Sequence, residues 1–79
     1  MKVSVLVRPK EGILDPQGTA VEQSLRKLGF DVAQARVGRL VDFEIEAASA
    51  DDARAKADDM CRQLLANPLI ESYEVEVHA

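Results

Sequence analysis

The chain has no tryptophan, one tyrosine and two phenylalanines, so aromatic rings make up only 4% of its 79 residues. Any core must therefore be built from aliphatic side chains. A single cysteine, Cys61, excludes an intramolecular disulfide, and a single histidine, His78, leaves no second imidazole for a nitrogen-sulfur metal site. No stretch approaches the roughly 20 apolar residues of a membrane span. The N-terminus runs straight into a strand pattern, without the basic, apolar and cleavage regions of a signal peptide. An excess of positive charge is absent too. Ten Lys and Arg against fourteen Asp and Glu give a formal charge of −4, unfavourable for attraction to nucleic-acid phosphates or anionic lipid. These absences predict a cytoplasmic protein with neither nucleic acid nor membrane among its partners.

What is present is aliphatic. Hydrophobic residues make up 47% of the sequence, enough for one small core, and no repeat or linker divides residues 1–79, which read as a single domain. A domain this small buries only about 60% of the surface its unfolded chain exposes. Without disulfides or an obvious metal, such a domain commonly gains stability by self-association, so an oligomer is expected.

The periodicity gives an order of elements. Val3, Val5 and Val7 alternate with Lys2, Ser4, Leu6 and Arg8, the pattern of a strand with one apolar face. Asp15 then offers an N-cap acceptor and Pro16 suits the first helical position, so a helix starts there, with Val21, Leu25 and Leu28 on one face. Gly29 is placed to end it in a left-handed cap. A weaker pattern from Phe30 to Val37 reads as a second strand, with a hairpin turn at Gly38-Arg39. A third strand has Val41, Phe43, Ile45 and Ala47 alternating with acids. Ser49 with Asp52 resembles a capping box and opens a longer helix. Its apolar positions, Ala53, Ala57, Met60, Cys61, Leu64 and Leu65, are expected to face the core. Asn67-Pro68 stops that helix, and Tyr73, Val75 and Val77 mark a fourth strand. The order βαββαβ predicts an α+β, ferredoxin-like two-layer sandwich, with a four-stranded antiparallel sheet and both helices on one face.

No catalytic constellation emerges. Cys61 lacks a neighbouring base, and His78 stands at the end of a strand on its polar face. The acidic pairs Asp51-Asp52 and Asp58-Asp59 read as a solvated helix surface. Gly12 and Gly18 around Asp15-Pro16 match neither a Walker A loop nor a dinucleotide fingerprint, so a structural loop and cap outweighs phosphate binding. Lys10, Arg36 and Arg39 could supplement such a site or simply mark loop ends and a hairpin turn, and the sequence does not place them together. No catalytic, cofactor-binding or metal-ligating residue is assigned.

Four segments do carry a resemblance. Gly12 to Gly18 (GILDPQG), the Leu28-Gly29-Phe30 corner, Arg36-Val37-Gly38-Arg39 and Leu64 to Glu71 (LLANPLIE) occur in an order and spacing similar to the PurS family, the small subunits of phosphoribosylformylglycinamidine synthase. Arg39 stands where lysine is more expected, which keeps a cation but changes its hydrogen-bonding geometry. The resemblance implies a non-catalytic subunit of a glutamine-dependent ligase in purine biosynthesis. Its partners would be a synthetase subunit, which performs the ATP- and Mg-dependent chemistry, and a glutaminase subunit, which supplies ammonia. The complex would convert formylglycinamide ribonucleotide to formylglycinamidine ribonucleotide. This chain would bind no cofactor, form a homodimer or homotetramer, and bridge the two other subunits. On that reading Asp15, Pro16, Gln17, Gly18, Asn67 and Pro68 shape or present contact loops, with Gln17 and Asn67 the better contact residues and Asp15, Pro16 and Pro68 at least equally explained by capping and turn formation. The fold alone also suits an ACT-like regulatory module that binds a small ligand, or a small acyl-phosphate hydrolase, although the latter's phosphate-cradling loop is not recognisable.

Overall fold

The computed structural model describes residues 1–78. Three strands, β1 (Lys2–Pro9), β2 (Arg39–Glu44) and β3 (Glu71–His78), form one sheet, with β1 in the centre and antiparallel to both neighbours. Val5 lies opposite Val41 on one side and Val75 on the other, so the apolar alternation of all three strands falls on one face. Helix α2 (Ala50–Met60), continued by a single π-helical turn at Cys61–Leu65, lies across that face. Val3, Val5 and Val7 meet Ala53, Ala57, Cys61 and Ala66 in a core of small side chains, with Phe43 and Tyr73 packed at its margin. The small helix residues let α2 approach the central strand closely.

The local signals at the helix starts act as the sequence suggests. Asp15 caps α1 (Pro16–Lys27) by accepting the Gly18 N–H, Pro16 takes the first position, and Gly29 ends the helix at φ 98°. Ser49 accepts the Asp52 N–H at 3.1 Å, while the Asp52 carboxylate accepts the Ala48 N–H at 3.0 Å. The reciprocal bond of a capping box is thus displaced by one residue.

Three expectations are corrected. The sheet has three strands, not four: residues 30–37 form no strand, and Gly38-Arg39 is not a hairpin turn. Gln34 adopts a left-handed φ of 58°, which breaks an extended run. The segment instead runs back along α1, held by Arg26 Nε donating to the Val32 carbonyl and by the Ala35 N–H donating to Glu22. Secondly, the two helices do not share the sheet face. Only α2 packs on the strands, whereas α1 and its return segment form an arm beyond the end of the sheet. Thirdly, Leu64 is not in the core but 83% exposed. The π turn, closed by the Ala66 N–H on the Cys61 carbonyl, inserts an extra residue, so Leu65 and Ala66 turn inward in its place.

The arm makes the molecule long. It extends 49 × 26 × 14 Å, with a radius of gyration of 15.6 Å against about 11–12 Å for a compact chain of this length. Its accessible surface of 5773 Å² exceeds by about 1,000 Å² what its mass predicts for a folded monomer.

Candidate functional site

The end of the sheet where β1 leaves, β2 enters and β3 begins gathers three of the four sequence segments singled out above. Lys10 ties them: its N–H donates to the Ile70 carbonyl at 2.9 Å and its ammonium to the Pro68 carbonyl at 2.6 Å. Arg36 donates to the carbonyls of Pro9 and Lys10. The fourth segment, the Leu28-Gly29-Phe30 corner, lies at the far end of α1, twelve residues or about 18 Å of helix away.

Asp15 is the hinge of the arm. One carboxylate oxygen takes the Gly18 N–H at 3.0 Å, the other takes the Val37 N–H at 2.9 Å, and Arg36 Nε stands 3.7 Å away. With only 11% of its side chain exposed, Asp15 fastens α1 to the segment that enters β2 and is not presented to a partner. The Val37 N–H first, then the Gly18 N–H and the Arg36 charge, hold its carboxyl below the usual aspartate range. This anchoring is therefore complete above the ordinary aspartate pKa of about 4 and weakens as pH falls through the lower folded value. Asp15→Asn is expected to be less stable than the parent at pH 7 and to decline more shallowly between pH 5 and 2. Thermal unfolding of both proteins across that range checks this, and an identical acid limb would assign the titration to other carboxylates.

Gly18 is buried, and a Cβ there would collide with the Ala35 carbonyl and the Asp15 carboxylate. It too belongs to the hinge. Pro16 and Gln17 are exposed on the first turn of α1, and the Gln17 side chain makes no hydrogen bond among the described residues. Asn67 and Pro68 form the exposed turn before β3. There the Asn67 side chain accepts the Leu69 N–H at 3.1 Å, and its backbone N–H donates to Glu71 at 2.7 Å. Asn67 is thus half committed to its own turn.

Arg39 and Glu71 complete this end. The guanidinium reaches both Glu71 oxygens, at 2.6 and 2.9 Å, and also donates to the Leu65 carbonyl at 2.6 Å. It satisfies the carbonyl at the end of the π turn and fastens β2 to β3 across the end of β1, a fork geometry that lysine lacks. Arg39 above all, then the Asn67 N–H, lowers the Glu71 carboxyl. Sequence reasoning had these three cations as an unplaced set. The structure commits all of them to the protein's own carbonyls and carboxylates. The hollow between the Gly12–Asp15 loop and α1 is lined by Glu11, Asp15 and Glu22 as well as Arg36, an environment opposed to phosphate.

Elsewhere, Ser4 on the open sheet face donates to Asp42 at 2.6 Å and lies 3.1 Å from His78 Nε2. The residue types suggest a triad, but the roles do not. Both partners converge on the serine, no carboxylate orients the imidazole, and all three groups are exposed. Cys61 is fully buried, and desolvation first, with nearby Asp58, pushes its thiol up, away from thiolate chemistry. No helix among the described residues is long and apolar enough to cross a membrane. What this arrangement offers is a rigid end that presents Gln17, the Asn67-Pro68 turn and the exposed apolar residues Leu14, Leu69 and Ile70, features suited to contact with other proteins.

Comparisons with known proteins agree with that character. The chain is 43% identical over 79 residues to the phosphoribosylformylglycinamidine synthase subunit PurS of Synechocystis sp., covering 99% of this chain and 77% of the relative. The crystal structure of the Thermotoga maritima PurS subunit is similar at a TM-score of 0.89 and 33% identity, over 95% of this chain and 87% of that one. A chain in the structure of PurLQS from the same organism is similar at 0.88 and 33%, over 95% and 93%. Residues 2–79 match the model of the family PurS, phosphoribosylformylglycinamidine (FGAM) synthase, and with nearly all of this chain covered in each comparison the chain belongs to the PurS family.

Proposed function

We propose that the chain is the small, non-catalytic subunit of FGAM synthase in purine biosynthesis, self-associating and bridging a glutaminase and a synthetase subunit in the cytoplasm. The observation that carries this is the near-full-length likeness to the chain within PurLQS, a complex of PurS with other subunits. The geometry supports it, since the charged side chains at the gathered end are occupied with the protein's own backbone and leave exposed polar and apolar groups for contact. On this reading the complex converts formylglycinamide ribonucleotide with glutamine and ATP. Mg-ATP and substrate are bound by the synthetase, and this chain binds no cofactor. Its contribution is positional: ammonia released at one active site reaches the other without loss to water only if the two are held in fixed register.

The test is reconstitution of the three subunits with glutamine and Mg-ADP, followed by native mass and activity. A defined ternary complex is expected, with glutamine-dependent turnover lost when this chain is omitted and ammonia-dependent turnover by the synthetase retained. Undiminished glutamine-dependent turnover without the chain would refute the bridge. Gln17→Ala should leave the isolated fold intact and weaken assembly about fivefold or more, the effect of removing one interface side chain worth about 1 kcal/mol. Asn67→Ala is a less clean probe, because it also removes the acceptor of the Leu69 N–H. Normal assembly by Gln17→Ala would take α1's first turn out of the interface.

A further inference from the structure

A pair of leucines stands on the otherwise polar open face of the sheet. Strand alternation turns Leu6, Arg8 and Leu40 away from the core, and Leu6 lies directly opposite Leu40, which is 60% exposed. Towards the gathered end, Arg8 follows on β1 with Gly38 beside it, so close that a Cβ at Gly38 would stand 3.3 Å from the Arg8 Cα. Gly38 itself puts no side chain there. Together with Arg36, these residues line a hollow of about 320 Å³ in which no acidic residue takes part. The chain as a whole has a formal charge of −4, and its other hollows reflect it: one at the far end of the same face carries Asp42 and Glu44, and one beside α1 carries Glu11, Asp15 and Glu22. The two guanidiniums at the rim are anchored and still have donors to give. Arg36 Nη2 donates to the carbonyls of Pro9 and Lys10 at 3.2 and 2.8 Å, while its Nη1 has no acceptor among the described residues. Arg8 gives only Nη1 to Glu74, at 3.1 Å, and with both side chains more than half exposed that ion pair is weak. The charge of Arg39, which also lines the hollow, is taken by Glu71.

We infer that this hollow binds a carboxylate carried on a short branched apolar stem, with the stem on Leu6 and Leu40 and the carboxylate on Arg8 and Arg36. The planar fork of a guanidinium matches a carboxylate, and a fork already fixed by its own carbonyl bonds loses little freedom on binding. The leucine floor rewards burial of methyl groups and gives nothing to a bare, strongly hydrated phosphate. A free amino acid fits poorly, because no carboxylate in the hollow receives its ammonium group. The volume lies at the small end of ligand sites, room for one residue-sized group and not for a nucleotide. The same chemistry comes from two sources: the C-terminus of a polypeptide that ends in an apolar residue, and a free aliphatic acid. The inference goes beyond the bridging role and does not depend on it. Its test needs neither the glutaminase nor the synthetase, so either reading can fail while the other stands.

The experiment titrates the full chain, isotope-labelled in its backbone amides, with N-acetyl-L-leucine and separately with isocaproate, at constant pH and ionic strength. Both probes are carboxylates on a branched aliphatic stem, and only the first carries the amide of a polypeptide terminus. Saturable shifts are expected at the amides of Gly38 and Leu40, with a dissociation constant in the millimolar range, the strength that about a dozen heavy atoms supply. Tighter binding of N-acetyl-L-leucine assigns the site to a polypeptide terminus, and equal or tighter binding of isocaproate assigns it to a free acid. N-acetyl-L-leucine amide, which lacks the charge, and L-leucine, which adds an ammonium, should each bind about fivefold more weakly or worse. Arg8→Gln gives up only an exposed ion pair, so the fold is kept, and binding should weaken about threefold or more. Glu74→Gln releases Arg8 and should strengthen binding about twofold, a gain that damage to the fold does not produce. Shifts that never saturate, or inorganic phosphate or the amide binding as well as N-acetyl-L-leucine, would overturn the site. So would Arg8→Gln and Glu74→Gln variants that both bind as the parent does.

Discussion

Gly38→Ala is expected to lower the stability of the chain by about 1–3 kcal/mol, the usual cost of forcing extra atoms into a packed site, and by more if the ladder between β1 and β2 has to open. The reason is backbone proximity and not backbone conformation. A Cβ at Gly38 would run into the Val7 carbonyl oxygen, with the Val7 carbonyl carbon at 3.2 Å and the Arg8 Cα at 3.3 Å. Val7 cannot retreat: it pairs with Arg39 on one side and Tyr73 on the other, and its side chain is buried under α2. Gly12→Ala is the informative comparison. Gly12 has a φ of +80° but nothing near its missing Cβ, so that variant carries only the strain of a left-handed residue, about 1–2 kcal/mol. Urea unfolding of both variants at one protein concentration, which keeps association constant, should rank Gly38→Ala as the more damaging. The opposite order would mean that the entry to β2 yields easily.

Val5→Ala should cost about 2–3 kcal/mol, from two lost methyl groups at about 0.8 kcal/mol each plus the cavity they leave. Val5 has 0% exposure, sits in the middle of the central strand and belongs to the core with Ala53, Ala57 and Cys61, whose short side chains cannot extend to fill the space. In a domain whose total stability is about 4–12 kcal/mol, this is a large fraction. Leu64→Ala, 83% exposed on the outer side of the same helix layer, should change unfolding by no more than about 0.5 kcal/mol. Chemical denaturation of both variants at one low protein concentration ranks the two effects. A large loss for Leu64→Ala in the dissociated chain, with little for Val5→Ala, would show that the inward and outward faces are reversed.

The difference between those two residues shows where sequence reasoning reached its limit. Leu64 fits the helical apolar stripe of α2 as well as Cys61 does, and periodicity of 3.6 contains no warning of a π turn. The turn forms because Asn67-Pro68 ends the helix and Arg39 captures the Leu65 carbonyl, a contact between residues far apart in the chain. Similarly, the alternation from Phe30 to Val37 was too weak to distinguish a strand from a return segment. Gln34 in a left-handed conformation and hydrogen bonds to Glu22 and Arg26 decide for the latter.

At the site, the caps were legible because they are local: Asp15 and Ser49 act within three residues of themselves. The second bond of Asp15, to Val37, was not legible. It spans 22 residues and turns a helix cap into the hinge of an arm. Lys10, Arg36 and Arg39 stood out in the sequence as cations, and only the fold shows that they fasten loops.

By itself, then, the sequence determined the aliphatic core strand, both helix starts, the helix stop at Asn67-Pro68 and the kinship with PurS, because each depends on side-chain alternation, a short-range hydrogen bond or a contiguous motif. The tertiary structure alone decided that α1 leaves the sheet and that one flank of the core stays open. The direction of a helix relative to a sheet is set by contacts such as Asp15 to Val37 and Gly18 against Ala35, whose partners are brought together only when the chain closes on itself.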